Sequence, residues 1–185
     1  MPSSRKRSIR FALVAAACGM WLVACGGSGS DSSAQAVEAV DACSLLSDAE
    51  VHAVAPDVGS GHPGSVQIPG ASVCQWDDSK HLPALTLQVT AADPADVKKG
   101  LEDAFANMGY DVISVPGLGD EAAVAVQRPD PGHGIESGVA VLAVRVGKRE
   151  LALSPMRLNI TTIDSTDFEH LKQAAAQAVA RLRAK

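Results

Sequence analysis

Aromatic side chains are scarce in this sequence: two tryptophans, one tyrosine and three phenylalanines make up 3% of 185 residues. Its core must therefore be built from Ala, Val, Leu and Ile, and the chain is long enough to fold on such a core without a metal or many staples. Long apolar runs are missing too. The main candidate, Phe11 to Ala24, falls short of the about 20 residues a helix needs to cross hydrocarbon, and Gly26-Gly27-Ser28-Gly29-Ser30 cannot extend it. Lasting membrane contact then requires a lipid or a partner. Catalytic signatures are also lacking. There is no His-Glu-x-x-His and no Gly-x-Ser-x-Gly, and Ser-x-x-Lys occurs only as Ser3-Ser4-Arg5-Lys6 close to the amino terminus, so nothing after that segment pairs a nucleophile with its base or a metal with its ligands at a known spacing. Gly117-Leu118-Gly119 lacks the third glycine and the following helix of a dinucleotide fingerprint. Heptads, internal repeats and low-complexity segments beyond a short tether are absent.

What is present begins with an address. Arg5, Lys6, Arg7 and Arg10 precede the apolar stretch without an acid among them, which is the layout of a secretory signal. Leu22-Val23-Ala24-Cys25 resembles a bacterial lipobox. That resemblance implies diacylglycerol on the Cys25 thiol, cleavage before Cys25, and a fatty acyl chain such as palmitate on the new amino terminus. Two or three chains anchor stably where one does not. Cys18 is the rival, but the branched apolar residue expected three positions upstream is missing there. The expected organisation is a signal at 1–24, a lipidated cysteine and Gly/Ser-rich flexible tether at 25–41, and one domain at 42–185. The expected address is the cell membrane or outer membrane, with the domain outside the cytoplasm. Removing the signal takes away four of 16 basic residues and none of 21 acids, leaving a net charge of −9. An acidic domain has no footprint for nucleic acid and no attraction to anionic lipid.

Cys43 and Cys74 remain as an isolated pair. In an oxidising compartment a disulfide is the natural inference, closing a loop worth about 3.5 kcal/mol in the chain-entropy model. Two buried thiols or half of a metal site are the alternatives. Ser47-Asp48-Ala49-Glu50 has the spacing of a capping box, and Pro56 stops the short helix it opens. A long Gly/Pro-rich loop, Asp57 to Ala71, leads to a strand at Val73 to Trp76. Leu85, Leu87 and Val89 alternate with polar residues, as in a half-buried strand. Asp93-Pro94 reads as a helix start, with Val97, Leu101, Ala104, Phe105 and Met108 on one face and Gly109 as the cap. Further strands are expected at Tyr110 to Val115, Ala122 to Val126, Val139 to Val146 and Leu151 to Leu153, with a hairpin turn at Gly147-Lys148, and Leu158 to Thr162 reads as a further strand or an extended lead-in. Asp164 or Ser165 caps a last helix whose stripe is Phe168, Leu171, Ala175, Ala178, Val179 and Leu182. The pattern is α+β, a mainly antiparallel sheet with helices packed on one face and one disulfide.

Cys43-Ser44-Leu45-Leu46-Ser47-Asp48-Ala49-Glu50-Val51, followed by Cys74-Gln75-Trp76, is similar to the opening of small lipoproteins common in actinobacteria. Gly117-Leu118-Gly119-Asp120-Glu121-Ala122 and Val144-Arg145-Val146-Gly147 resemble that family's Gly-rich turn and late hairpin. The resemblance implies a secreted or lipid-anchored α+β domain with one disulfide, related in style to extracellular sensor domains. It carries no catalytic residue and no cofactor.

The reading that follows is a membrane-anchored binding domain and not an enzyme, its partner an envelope protein or a small ligand. Candidate ligand-binding residues are Trp76, His62 and His133, in or beside the loops Asp57–Ala71 and Arg128–Ser137, because loops on a rigid sheet display function. Trp76 is either an exposed anchor or a core residue beside the disulfide. One alternative is a metal-binding or sensing module, with His62 and His133 joined by Asp57, Asp130 or Glu136. Another is an envelope hydrolase or its accessory.

Overall fold

The computed structural model describes residues 40–65, 69–92, 96–128, 138–156 and 165–185, all within the unit Gln35–Lys185. A 3-10 turn, Ala42–Leu45, precedes helix α1, Asp48–Val54. Strands β1, His62–Pro63, β2, Ser72–Asp77, and β3, Pro83–Ala91, follow. Helix α2, Val97–Ala104, leads to β4, Tyr110–Ser114, β5, Glu121–Gln127, β6, Gly138–Val146, and β7, Arg149–Pro155. Helix α3, Thr166–Arg183, completes the α+β fold. The strands form one antiparallel sheet in the order β1-β2-β3-β7-β6-β5-β4.

Strand alternation explains the layers. Trp76, Leu85, Leu87, Val89, Val124, Leu142, Val144, Leu151 and Leu153 share one face. Against them lie α1 and α3, the latter through Phe168, Leu171, Ala175, Ala178, Val179 and Leu182, the stripe its periodicity predicts. Each fully buried leucine here contributes about 1.5–3 kcal/mol by leaving water.

Helix α2 departs from the expected one-sided packing. Its Val97 and Leu101 bury against Ala123 and Ala143, whose neighbours Val124, Leu142 and Val144 point to the α3 side. The topology supplies the reason. The chain leaves β3 in mid-sheet and must reach the far edge at β4, so it crosses β7, β6 and β5 on the second face. The helix also starts later than Asp93-Pro94 suggests: Asp96 is the N-cap, accepting from the Lys99 N–H at 3.1 Å. Asp93, Pro94 and the segment Leu158 to Thr162 lie outside the described residues. The far end is shorter than predicted. Asn107 and Gly109 take left-handed φ of 63° and 79°, turning the chain into β4 and leaving Ala104 exposed and Met108 60% exposed.

Two clasps fix the α3 layer. Ser47 and Glu50 close the capping box expected of them. The same Glu50 carboxylate takes both guanidinium nitrogens of Arg181, at 2.6 and 2.8 Å, while Arg181 also donates to the Leu45 carbonyl at 2.7 Å. The Arg181 hydrogen bonds, helped by those from Ser47, hold Glu50 down to a pKa of about 2. The clasp is therefore fully formed above the ordinary carboxylate range and lost only as pH falls through about 2. At the other end Asp120 accepts from the Gly147 N–H at 2.6 Å and from Arg183 at 2.9 Å. It thereby joins the β4–β5 turn, the β6–β7 turn and the end of α3.

Candidate functional site

The site is built around β2. Cys43 and Cys74 form the disulfide, with their Cα atoms 4.9 Å apart, tying the 3-10 turn to this strand. Two residues on, Trp76 is only 2% exposed and belongs to the core. The exposed-anchor reading of Trp76 is thus corrected. With so few large aromatics, the core takes the indole, and the chain that follows α1 covers it.

That covering segment is a strap running from Ala55 to Pro63. Pro56 ends α1 because it has no N–H to continue the ladder. Val58 bridges to Asp78, and the Gly59 N–H donates to the Asp77 carbonyl at 3.0 Å. From α1, His52 Nε2 donates to the Val58 carbonyl at 3.2 Å. Gly61 lies flat on the indole: a Cβ there would stand 2.6 Å from Trp76 Nε1 and 3.0 Å from Cys74 Sγ, so no side chain fits. His62 and Pro63 then pair with Gln75 and Cys74 as the short edge strand β1. The expected loop therefore holds a strand of two residues, too short for any periodicity to announce.

Opposite the strap is the β2–β3 turn. Asp78 Oδ1 accepts from the Lys80 and Leu82 N–H groups at 2.8 and 3.0 Å, so this acid solvates the turn it begins. Between strap and turn is a cavity of about 290 Å³. Val54, Ala55, Pro56, Val58 and Ala84 make its apolar wall, and Asp57, Asp78 and Lys80 its polar one. Its size is at the lower end of small-ligand sites, which run from about 300 Å³. Leu82, 48% exposed, and Met156, 60% exposed, belong to the same end of the sheet, Met156 donating its N–H to the Ala84 carbonyl.

His62 lies on the edge of this region, and its geometry decides its chemistry. Nε2 is 3.1 Å from Asp77 Oδ2, and Nδ1 is 3.1 Å from the Pro63 carbonyl oxygen. Both partners only accept, so the arrangement is satisfied at both ring nitrogens only when the ring is protonated, and it favours the imidazolium form. The Pro63 carbonyl and then the Asp77 carboxylate raise its pKa above 6.5. Asp77 is lowered in turn, first by the Gln75 amide, which donates to Oδ1 at 2.7 Å, then by His62 and His81. While protonated and so held, the ring offers no lone pair to a metal or to a substrate's proton. Among the described residues no three His, Cys, Asp or Glu side chains converge as a metal site. Cys25, His133, Asp130 and Glu136 lie outside the described residues.

No family model, curated protein or solved structure matches the chain. Its function must be argued from the site itself. Sequence reasoning named the strap's loop, His62 and Trp76, but missed Asp77, Gln75 and Ala84. The only available signal was Asp77-Asp78 at a strand end, and nothing in the sequence says that the two neighbouring acids face different partners.

Proposed function

We propose that the chain is an exported, lipid-anchored envelope protein whose domain binds a small ligand in the cavity between the strap and the β2–β3 turn. Export is supported by the basic and apolar leader, by Leu22-Val23-Ala24-Cys25, and by the Cys43–Cys74 disulfide, which an oxidising compartment maintains. The observation that carries the binding reading is the cavity. It is partly apolar, rimmed by a few polar groups, and formed by two loops on a rigid sheet, the usual make-up of a ligand site. The ligand is a small molecule with an apolar body. The lining groups, Asp57, Asp78 and Lys80 beside an apolar wall, are those of a binding site, and binding is the role proposed for the domain.

Native mass spectrometry of the full chain, extracted from membranes in detergent, tests this reading. The expected spectrum shows a small organic mass in addition to the protein. Ala55→Trp, which fills the cavity, loses that mass while keeping the folded domain's circular dichroism. A ligand present at about 100 times its Kd also raises stability by about 2.7 kcal/mol, and the variant shows no such gain. A bare protein with no thermal shift across a small-molecule library contradicts the reading and leaves an envelope protein as the partner.

A further inference from the structure

We infer that His62 and Asp77 form a proton-dependent latch that holds the strap closed over Trp76 and the disulfide. The geometry leaves little freedom. His62 bridges a carboxylate on β2 and the carbonyl of its own edge strand, and each contact consumes one ring N–H. When the ring gives up a proton to solvent, only one N–H remains. A nitrogen lone pair then faces either Asp77 or Pro63, and one of the two contacts is replaced by repulsion.

The other contacts of the strap are few and short in sequence. Strand β1 contributes only two residues. Its flanks add the Gly59–Asp77 and Gly64–Val73 backbone bonds, the Val58–Asp78 bridge, the His52–Val58 contact and the packing of Val58 on the core, leaving His62–Asp77 as the contact among them that a proton controls. The titratable groups acting on the pair, among the described residues, are Asp77 on β2 and His81 in the β2–β3 turn, whose charge also acts on Asp77. Gln75 fixes the other carboxylate oxygen, so Asp77 cannot follow a departing ring.

The sign follows from the chemistry. A histidine whose folded pKa lies above its ordinary value stabilises fully below about 6.5, and the effect disappears as pH rises through the folded pKa. A lowered Asp77 keeps its contribution above the ordinary carboxylate range and loses it on acidification. The latch is closed in mildly acidic solution and opens toward alkaline pH. Val58 and Pro56 of the strap also wall the cavity, so opening loosens the site. That last step rests on the binding function proposed above, whereas the latch itself does not.

Trp76 reports the strap directly, because Gly61 covers the indole. Acrylamide quenching of the full chain carrying Trp21→Phe, which leaves Trp76 as the only tryptophan, reads its exposure. The expected result is a quenching constant that rises at least twofold from pH 5.5 to 8.5. In His62→Gln it is the same at both values. In parallel, the His62 ring proton titrates by NMR above 6.5, and Asp77→Asn brings it back toward 6.5. A flat quenching profile in the parent chain, or a His62 pKa at or below 6.5, overturns the latch. Neither readout contains a ligand, so a failed ligand search and a failed latch are told apart.

Discussion

Replacing Cys43 and Cys74 together by alanine lowers the stability of the domain by about 3.5 kcal/mol. The bridge closes 31 residues of chain and joins the 3-10 turn, which has no other covalent tie to the sheet, to strand β2. Most of the loss is the entropy that the open chain regains when unfolded. A smaller part is local, because Cys74 is fully buried beside Trp76 and alanine leaves a gap there. Urea unfolding followed by circular dichroism measures the effect as a lower midpoint. The slope changes as well, since the unbridged chain exposes more surface on unfolding. A loss under about 1 kcal/mol would mean that the 3-10 turn and the strap contribute little to the fold.

Gly119→Ala is expected to cost about 3 kcal/mol for two reasons that add. The residue has φ of 64°, a left-handed conformation that costs an L-residue about 1–2 kcal/mol. Its Cβ would also collide with Val144 Cγ1 and lie 2.5 Å from the Arg145 carbonyl oxygen. Neither neighbour can retreat: Val144 is fully buried in β6, and the Arg145 carbonyl accepts from the Asp120 N–H at 2.8 Å. Forcing extra volume into packed structure costs a further 1–3 kcal/mol or so. Gly117→Ala is the control. It shares a positive φ, 77°, but a Cβ there meets nothing within 4 Å, so only the conformational cost of about 1 kcal/mol is expected. In thermal unfolding Gly119→Ala melts about 10 °C below the parent chain and Gly117→Ala only a few degrees below. Equal losses in the two variants would remove the packing argument. The Gly-Leu-Gly-Asp run thus has a structural reason, a tight turn packed on β6 that aims Asp120 at Gly147 and Arg183.

Features set by neighbours in sequence were legible in advance. Ser47 and Glu50 announce the start of α1, the 3.6-residue stripe announces α3, and Gly147-Lys148 announces the last hairpin, because each is decided within one turn of chain. The pairing of Cys43 with Cys74 followed from counting. Features set by distant parts of the chain were not legible. Glu50 and Arg181 stand 131 residues apart, and no local pattern joins them. The side of the sheet taken by α2 depends on strand order, since Val97 and Leu101 suit either face until β4 is known to lie at the far edge. His62 looked like a loop histidine because its strand has two residues, and no local pattern joins it to Asp77, 15 residues on. The scarcity of aromatics favoured the core over the surface for Trp76, which is 2% exposed, and the absence of a side chain at Gly61 lets the strap close over it.

Export and lipidation are the claim from which the rest takes its biological meaning, and one peptide tests it. The full chain is expressed in a bacterial host, the membrane fraction is cut at the N-terminal side of aspartate, and the peptides are read by mass spectrometry. The account predicts the hexapeptide Cys25-Gly26-Gly27-Ser28-Gly29-Ser30, ending before Asp31, with diacylglycerol on the thiol. An unmodified Cys25 within a longer peptide that still carries residues before it, recovered from the soluble fraction, contradicts the account.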